Sequence, residues 1–258
     1  MATVWFVGAG PGSPDLITIR GRDLLSQAGA ILYAGSLVSP EHLNFASPQC
    51  VIADSSGMTL EQMTDWLVKQ SQKSETLVRL QTGDPAIYGA LAEMAQPLMD
   101  AGLEIKSVPG VPSSLASAAA ALETLTLPET TQTIILTRVE GRTPMPAREQ
   151  LRDLARHGTT LCIHLSIALW PRIHQELTAA GLGEETPVLV VHKATWAGEE
   201  QIIRGTLANI EQQCSAANIK SQSMIIVSPA LGACQRRGTP QSKLYNPAFG
   251  HGFRKASS

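Results

Sequence analysis

Val4-Trp5-Phe6-Val7-Gly8-Ala9-Gly10-Pro11-Gly12 opens the chain with a short apolar run that breaks into a glycine loop. An apolar run of this length bounded by glycines reads as a buried strand, Val4 to Val7, with the loop at its carboxyl end. The loop resembles a dinucleotide-binding fingerprint and departs from it. That fingerprint needs Gly-x-Gly-x-x-Gly and then an acidic residue about 20 positions on to hold the ribose hydroxyls. Here the third glycine comes one residue early, and the next strand, Ala30 to Tyr33, ends without a carboxylate. Pro11 also removes a backbone N–H from a loop whose usual task is to offer N–H groups to phosphate. The loop is expected to serve a ligand other than NAD.

Working outward, helices are expected at Asp15 to Ala28, Leu60 to Gln72, Pro85 to Ala101 and Ser113 to Leu125. Strands at Glu75 to Leu80 and Glu104 to Val108 alternate with them, which implies an α/β fold built on a largely parallel, wound sheet. A strand at Thr133 to Thr137 precedes Glu140-Gly141-Arg142-Thr143-Pro144-Met145-Pro146, which is too rich in Gly and Pro for regular structure. Beyond it come helices at Ala147 to Arg156 and Trp170 to Ala180. Strands follow at Thr160 to Leu165, Val188 to His192 and Met224 to Val227, with an edge strand at Ile202 to Thr206. The expected organisation is an N-terminal α/β domain over 1–137, a C-terminal α/β domain over 138–232 and a basic tail over 233–258.

The net charge of −2 gives no reason to expect a nucleic-acid partner. After Glu211 there is no acidic residue, while Lys220, Arg236, Arg237, Lys243, Arg254 and Lys255 follow, so the tail is either a solvated basic segment or a binding patch. Cys50, Cys162, Cys214 and Cys234 form no Cys-x-x-Cys pair, and free thiols in a reducing compartment are expected. The six histidines show no metal-ligand spacing, so no metal is expected. With no leader pattern and no apolar run of membrane-spanning length, the protein is expected to be soluble and cytoplasmic.

In an α/β sheet, ligands sit beyond the carboxyl ends of the strands. Besides Gly8 to Gly12, four such ends stand out. Asp84 in Gln81-Thr82-Gly83-Asp84-Pro85 is either a ligand contact or a helix N-cap. Pro109-Gly110-Val111-Pro112-Ser113-Ser114 leads into an Ala-rich helix that suits close ligand approach or tight packing. Arg138 and Arg142 flank a glycine and suit a polycarboxylate or phosphate, or a surface network with Glu140. Lys193 in His192-Lys193-Ala194-Thr195-Trp196 adds another cation. There is no phosphate loop of the Gly-x-x-x-x-Gly-Lys-Ser/Thr type and no Gly-x-Ser-x-Gly elbow.

Taken as a set, these loops resemble the tetrapyrrole methylases, the S-adenosylmethionine-dependent family of cobalamin and sirohaem synthesis. The resemblance runs from Val4 to about Leu231. It rests on Val7 to Thr18, on Thr82-Gly83-Asp84-Pro85, and on Pro109-Gly110-Val111 before the small-residue helix. Tyr33-Ala34-Gly35-Ser36-Leu37-Val38, Leu125-Thr126-Leu127-Pro128, Thr137 to Pro144 and Lys193-Ala194-Thr195-Trp196 resemble the branch acting at C-11 of precorrin-4 or cobalt-precorrin-4. The resemblance implies two α/β lobes unlike a Rossmann-type methyltransferase, with S-adenosylmethionine in the cleft between them, usually in a homodimer.

It also implies cofactor contacts at Gly83, Asp84, Ile87, Ser113 and Ser114, with Leu165 and Ala194 from the second lobe and Pro11 near the cleft. Pro112 departs from relatives that carry Thr or Ser there, which leaves Ser113 as the side-chain contact. A substrate rich in acetate and propionate groups would meet Arg138, Arg142 and Lys193. No catalytic nucleophile is required, because a sulfonium methyl is already electrophilic, and no catalytic base is assigned. Other readings stay open: methylation at another ring carbon, a family cousin acting on RNA or a translation factor, a dinucleotide oxidoreductase, and a non-catalytic tetrapyrrole carrier.

Overall fold

A computed structural model of the chain describes residues 1–256, which fall into two compact units. The first comprises Met1–Ala116 together with Lys193–Glu200, and the second comprises Ser117–His192 and the chain from Gln201 on.

The first unit holds β1 (Thr3–Gly8), α1 (Ile19–Gln27), β2 (Ala30–Tyr33), β3 (Val51–Asp54), α2 (Leu60–Ser71), β4 (Thr76–Gln81), α3 (Leu91–Asp100) and β5 (Glu104–Val108). Its sheet has the order β3-β2-β4-β1-β5 and every pairing is parallel. Both faces are covered. Val7, Ile31, Val78 and Leu80 pack with Leu25 of α1, while Val4, Phe6, Leu32 and Leu77 pack with Leu67, Met94 and Leu98 of α2 and α3. Strands buried on both faces read as continuous apolar runs, which is why the sequence exposes them so clearly.

Three details depart from the sequence reading. Strand β3 has no counterpart in it, because Val51-Ile52-Ala53-Asp54 is a four-residue edge strand with largely exposed side chains. Helix α1 begins at Ile19, where the Thr18 hydroxyl accepts from the Gly21 N–H at 3.1 Å, and Pro14 to Leu16 form a separate tight turn. Helix α3 begins at Leu91 and not at Pro85, since Tyr88 has φ of 53° and cannot continue a right-handed helix.

The second unit holds β6 (Ile134–Arg138), α5 (Leu151–Ala155), β7 (Thr160–His164), α6 (Trp170–Ala179), β8 (Pro187–His192), β9 (Gln201–Thr206), α7 (Ile210–Ala216) and β10 (Ser223–Val227). Helix α4 (Ser113–Ala120) carries the chain from one unit to the other. The sheet order is β6-β7-β10-β8-β9, with β6 and β7 parallel and the remaining pairs antiparallel. The core joins Ile163, Val190, Ile225 and Val227 to Trp170, Ile173 and Leu177 of α6 and Ile210 of α7. Strand β6, assigned by sequence to the first domain, pairs with β7 in this second sheet. The Gly/Pro segment after it is therefore a loop within the second unit, and the division between units runs through α4.

In the tail, the Arg254 guanidinium donates to the carbonyls of Leu244, Asn246 and Phe249, which folds that stretch back on itself. No helix among the described residues is long and apolar enough to cross a membrane. The described residues also contain no cluster of three or more His, Cys, Asp or Glu that could hold a metal ion.

Candidate functional site

Because β1 lies between β4 and β5, the loops leaving their carboxyl ends are neighbours. Gly8, Gly83 and Gly110 meet where these loops touch. A Cβ on Gly8 would stand 2.5 Å from the Gly83 carbonyl oxygen and 2.6 Å from the Gly110 Cα, and a Cβ on Gly110 would overlap the same oxygen. Only glycine fits at either place, since the obstructing atoms are backbone and cannot swing aside.

Gly83 differs. Its φ is +60°, and a Cβ there would find nothing nearer than the Pro112 Cα at 3.7 Å. Glycine is favoured at this position by backbone conformation, and a Cβ there would meet Val111, Pro112 and Ser113 only at ordinary contact distance.

Asp84 joins two of the loops. Its Oδ1 accepts from the Ala86 N–H at 2.8 Å and its Oδ2 from the Gly110 N–H at 3.0 Å. The helix-cap reading of Asp84 does not hold, because no helix starts at Pro85. A carboxylate has about four acceptor positions, so two backbone donors leave it able to receive a hydroxyl or an amine.

The glycine loop is held from within. The Ala9 N–H donates to the Gln81 carbonyl at 2.7 Å, and Gly10 and Gly83 exchange N–H donors at 3.3 and 2.8 Å. The Ser13 N–H donates to the Thr195 hydroxyl at 3.0 Å, and Pro11 has no N–H to give. Gly12 thus carries the one amide between Ala9 and Ser13 without a protein acceptor among the described residues. A pyrophosphate cradle needs several amides aimed at one ligand. This loop has at most one to offer, which removes the physical basis for a dinucleotide oxidoreductase.

The loop's carbonyls are claimed as well. The Pro11 oxygen accepts from the Trp196 indole N–H at 3.1 Å, and the Ala9 oxygen lies 2.8 Å from Nε2 of the buried His42. Neither His42 nor Trp196 was marked for this role by sequence, because each reaches the loop from a distant segment. The signal at Gly12 was legible only in part. Its glycine is dictated by Trp196, whose ring would collide with any Cβ there.

Of the residues implied as cofactor contacts, Pro11, Gly83, Asp84, Ile87, Ser113, Ser114 and Ala194 fall in the first unit, and Leu165 falls in the second. Ser113 and Ile87 are half-buried at the loop junction, whereas Ser114 is fully enclosed. The Ser114 hydroxyl is buried without a hydrogen-bond partner among the described residues. Leu165 is strained and open, with φ of 55° and two-thirds of its surface exposed.

Beside Leu165, the Ser166 hydroxyl donates to the His164 carbonyl at 2.6 Å and accepts from the Val139 N–H at 2.9 Å, tying the ends of β6 and β7 together. Burial pushes the His164 imidazole down to about 4. A histidine whose pKa is depressed on folding supports the folded state fully above its unfolded value near 6.5, and that support is lost as pH falls toward 4. Lowering the pH from 7 to 5 is expected to cost about 2 kcal/mol from this group. His164→Gln should flatten the profile of stability against pH in urea titrations over that window; an unchanged slope would refute the assignment.

The three cations expected to meet carboxylates fare differently. Arg138 donates to the carbonyls of Thr143 and Pro144 at 3.2 and 2.7 Å, so it braces the loop that follows it. Lys193 pairs with Glu199 and lies 5.1 Å above the Trp196 ring. Arg142 is exposed and has no partner among the described residues. Glu140 is paired with Arg172 at 2.7 Å, and that contact with the Met145 N–H holds its carboxyl below the usual carboxylate range.

Residues 3–211 match the family description of the tetrapyrrole (corrin/porphyrin) methylases. The chain is 44% identical to the cobalt-precorrin-4 C(11)-methyltransferase of Priestia megaterium, covering 98% of this chain and 97% of that one. Among solved structures it is similar to a cobalamin biosynthetic enzyme, cobalt precorrin-4 methyltransferase, at 44% identity and a TM-score of 0.86, covering 89% of this chain and 95% of the other. It is also similar to uroporphyrin-III C-methyl transferase from Thermus thermophilus complexed with S-adenyl homocysteine. That likeness has 25% identity and a TM-score of 0.73, covering 89% of this chain and 99% of the other.

Proposed function

We propose that this chain, which belongs to the tetrapyrrole (corrin/porphyrin) methylase family, transfers a methyl group from S-adenosylmethionine to C-11 of precorrin-4 or its cobalt complex. The observation that carries the reading is the 44% identity over nearly the whole of both chains to a cobalt-precorrin-4 C(11)-methyltransferase. Use of S-adenosylmethionine is supported by the demethylated product bound to the Thermus thermophilus relative and by the fit of the first unit's loops. Acceptor capacity left on Asp84 and a glycine loop with almost no free amide suit a neutral or cationic ligand better than a phosphate.

When bound, the donor supplies a sulfonium methyl that an electron-rich pyrrole-derived carbon attacks directly. The protein's part is placement. Holding the two reactants in line converts a bimolecular step into one with an effective molarity of about 10⁵ M or more in favourable cases. Asp84 and Ser113 offer acceptors for the hydroxyls and amine of the donor. Arg142 is the cation left free to take a substrate carboxylate, by the two-pronged geometry that guanidinium and carboxylate share.

The test is incubation with isotopically labelled S-adenosylmethionine and precorrin-4, with and without cobalt, and location of the new methyl by NMR. Label at C-11 is expected, and label at any other ring carbon would overturn the assignment. In calorimetry, Arg142→Ala is expected to weaken tetrapyrrole binding roughly tenfold, the worth of one charge-assisted contact, while S-adenosylhomocysteine binds as before.

A further inference from the structure

The chain leaves β8 at His192 and returns to β9 at Gln201, and the eight residues between pack with the first unit. Within that stretch Lys193 and Thr195 have φ of 47° and 70°. Left-handed backbone on a lysine and a β-branched threonine is strained and persists only where surrounding contacts over-determine it. Such contacts surround both residues. Trp196 donates to the Pro11 carbonyl, Thr195 accepts from the Ser13 N–H, and the Thr195 N–H donates to the Glu200 carboxylate at 2.6 Å. Lys193 closes the stretch on itself by pairing with Glu199 and lying over the indole face. Gly12 packs against the Cδ1–Nε1 edge of the Trp196 indole, where a Cβ would collide.

We propose that Lys193 to Glu200 is a strap that sets the conformation of the glycine loop, with Trp196 and Thr195 as positioning residues through which donor affinity is tuned. The proposal rests on the methyl-donor reading of the loop. Pro11 cannot be anchored through an N–H, so its peptide is fixed through its carbonyl, and the indole is the group that fixes it. The next amide along that the protein holds is that of Ser13, which donates to the Thr195 hydroxyl. The two peptide groups flanking Gly12 are thus each held by one residue of the strap.

Trp196→Phe keeps the bulk over Gly12 and removes the donor. It is expected to raise the Kd for S-adenosylhomocysteine about five- to tenfold, with the KM for the donor rising in step and kcat at saturation within about twofold. Thr195→Val should act likewise, and Thr195→Ser, which keeps the hydroxyl, should restore affinity. In hydrogen exchange of the protein without donor, the Ser13 amide should exchange faster in Thr195→Val than in wild type. Wild-type affinity in both variants alongside a lowered Tm would overturn the proposal, because the strap would then only stabilise. Unchanged exchange at Ser13 would overturn it too. If wild type fails to bind S-adenosylhomocysteine while Ser13 exchange still responds, the methyl-donor reading falls and the strap's hold on the loop stands.

Discussion

Gly110→Ala is expected to unseat the three loops together, lowering Tm by about 5–10 °C and abolishing measurable S-adenosylhomocysteine binding. The added methyl would overlap the Gly83 carbonyl oxygen and lie 2.8 Å from the Gly8 Cα. Overpacking a tight site costs about 1–3 kcal/mol when side chains can adjust, and here the obstructing atoms are backbone. In a chain of this size each 1 kcal/mol moves Tm by about 2–4 °C. The backbone of Gly110 is not left-handed, so the penalty is steric and not conformational.

Gly57 supplies the control, because a Cβ there meets nothing within 4 Å, and Gly57→Ala should leave Tm within about 1 °C. Gly83→Ala should fall between them, with strain of about 1–2 kcal/mol from its left-handed backbone and little steric conflict. The order Gly110, Gly83, Gly57 in thermal denaturation checks the account. A Gly110→Ala protein as stable as Gly57→Ala would mean the loops are not packed as described.

The contrast among these glycines marks how far the sequence could be read. Their presence at three strand ends was plain, and so was the alternation of strand and helix that made those ends neighbours. Which glycine faces open room and which faces backbone was not, because that depends on β1 lying between β4 and β5. Strand order arises from pairings across the chain, such as Val7 with Leu80 and with Val108, and no local pattern records it. The same limit hid the second sheet, where β10 sits between β7 and β8 although it comes last.

The cations show a different limit. Arg138, Arg142 and Lys193 have the same chemistry in sequence, and only their partners separate them. Arg138 is taken by two carbonyls, Lys193 by Glu199 and Trp196, and Arg142 by nothing among the described residues. The strap was illegible for a third reason. Left-handed backbone is announced by glycine, and here it is carried by Lys193 and Thr195, whose side chains prefer other conformations.

Asp84 carries the second large expectation, and it separates two jobs that share one carboxylate. Asp84→Ala leaves the N–H groups of Ala86 and Gly110 without acceptors, at about 1–3 kcal/mol for each that stays out of water. Tm should fall and S-adenosylhomocysteine binding should be lost, but that outcome alone cannot tell a loop tie from a ligand contact. Asp84→Asn can. The amide keeps one oxygen for the Gly110 N–H and gives up the charge and half of the acceptor capacity. Tm is expected to drop by only a few degrees while affinity falls about tenfold or more, since a bond to a charged acceptor is worth about 1.5–3 kcal/mol. Calorimetry and thermal denaturation on the same preparations decide it. If Asp84→Asn binds S-adenosylhomocysteine as tightly as wild type while losing Tm, the carboxylate serves the loops alone, and recognition of the donor falls to Ser113 and the backbone around Gly83.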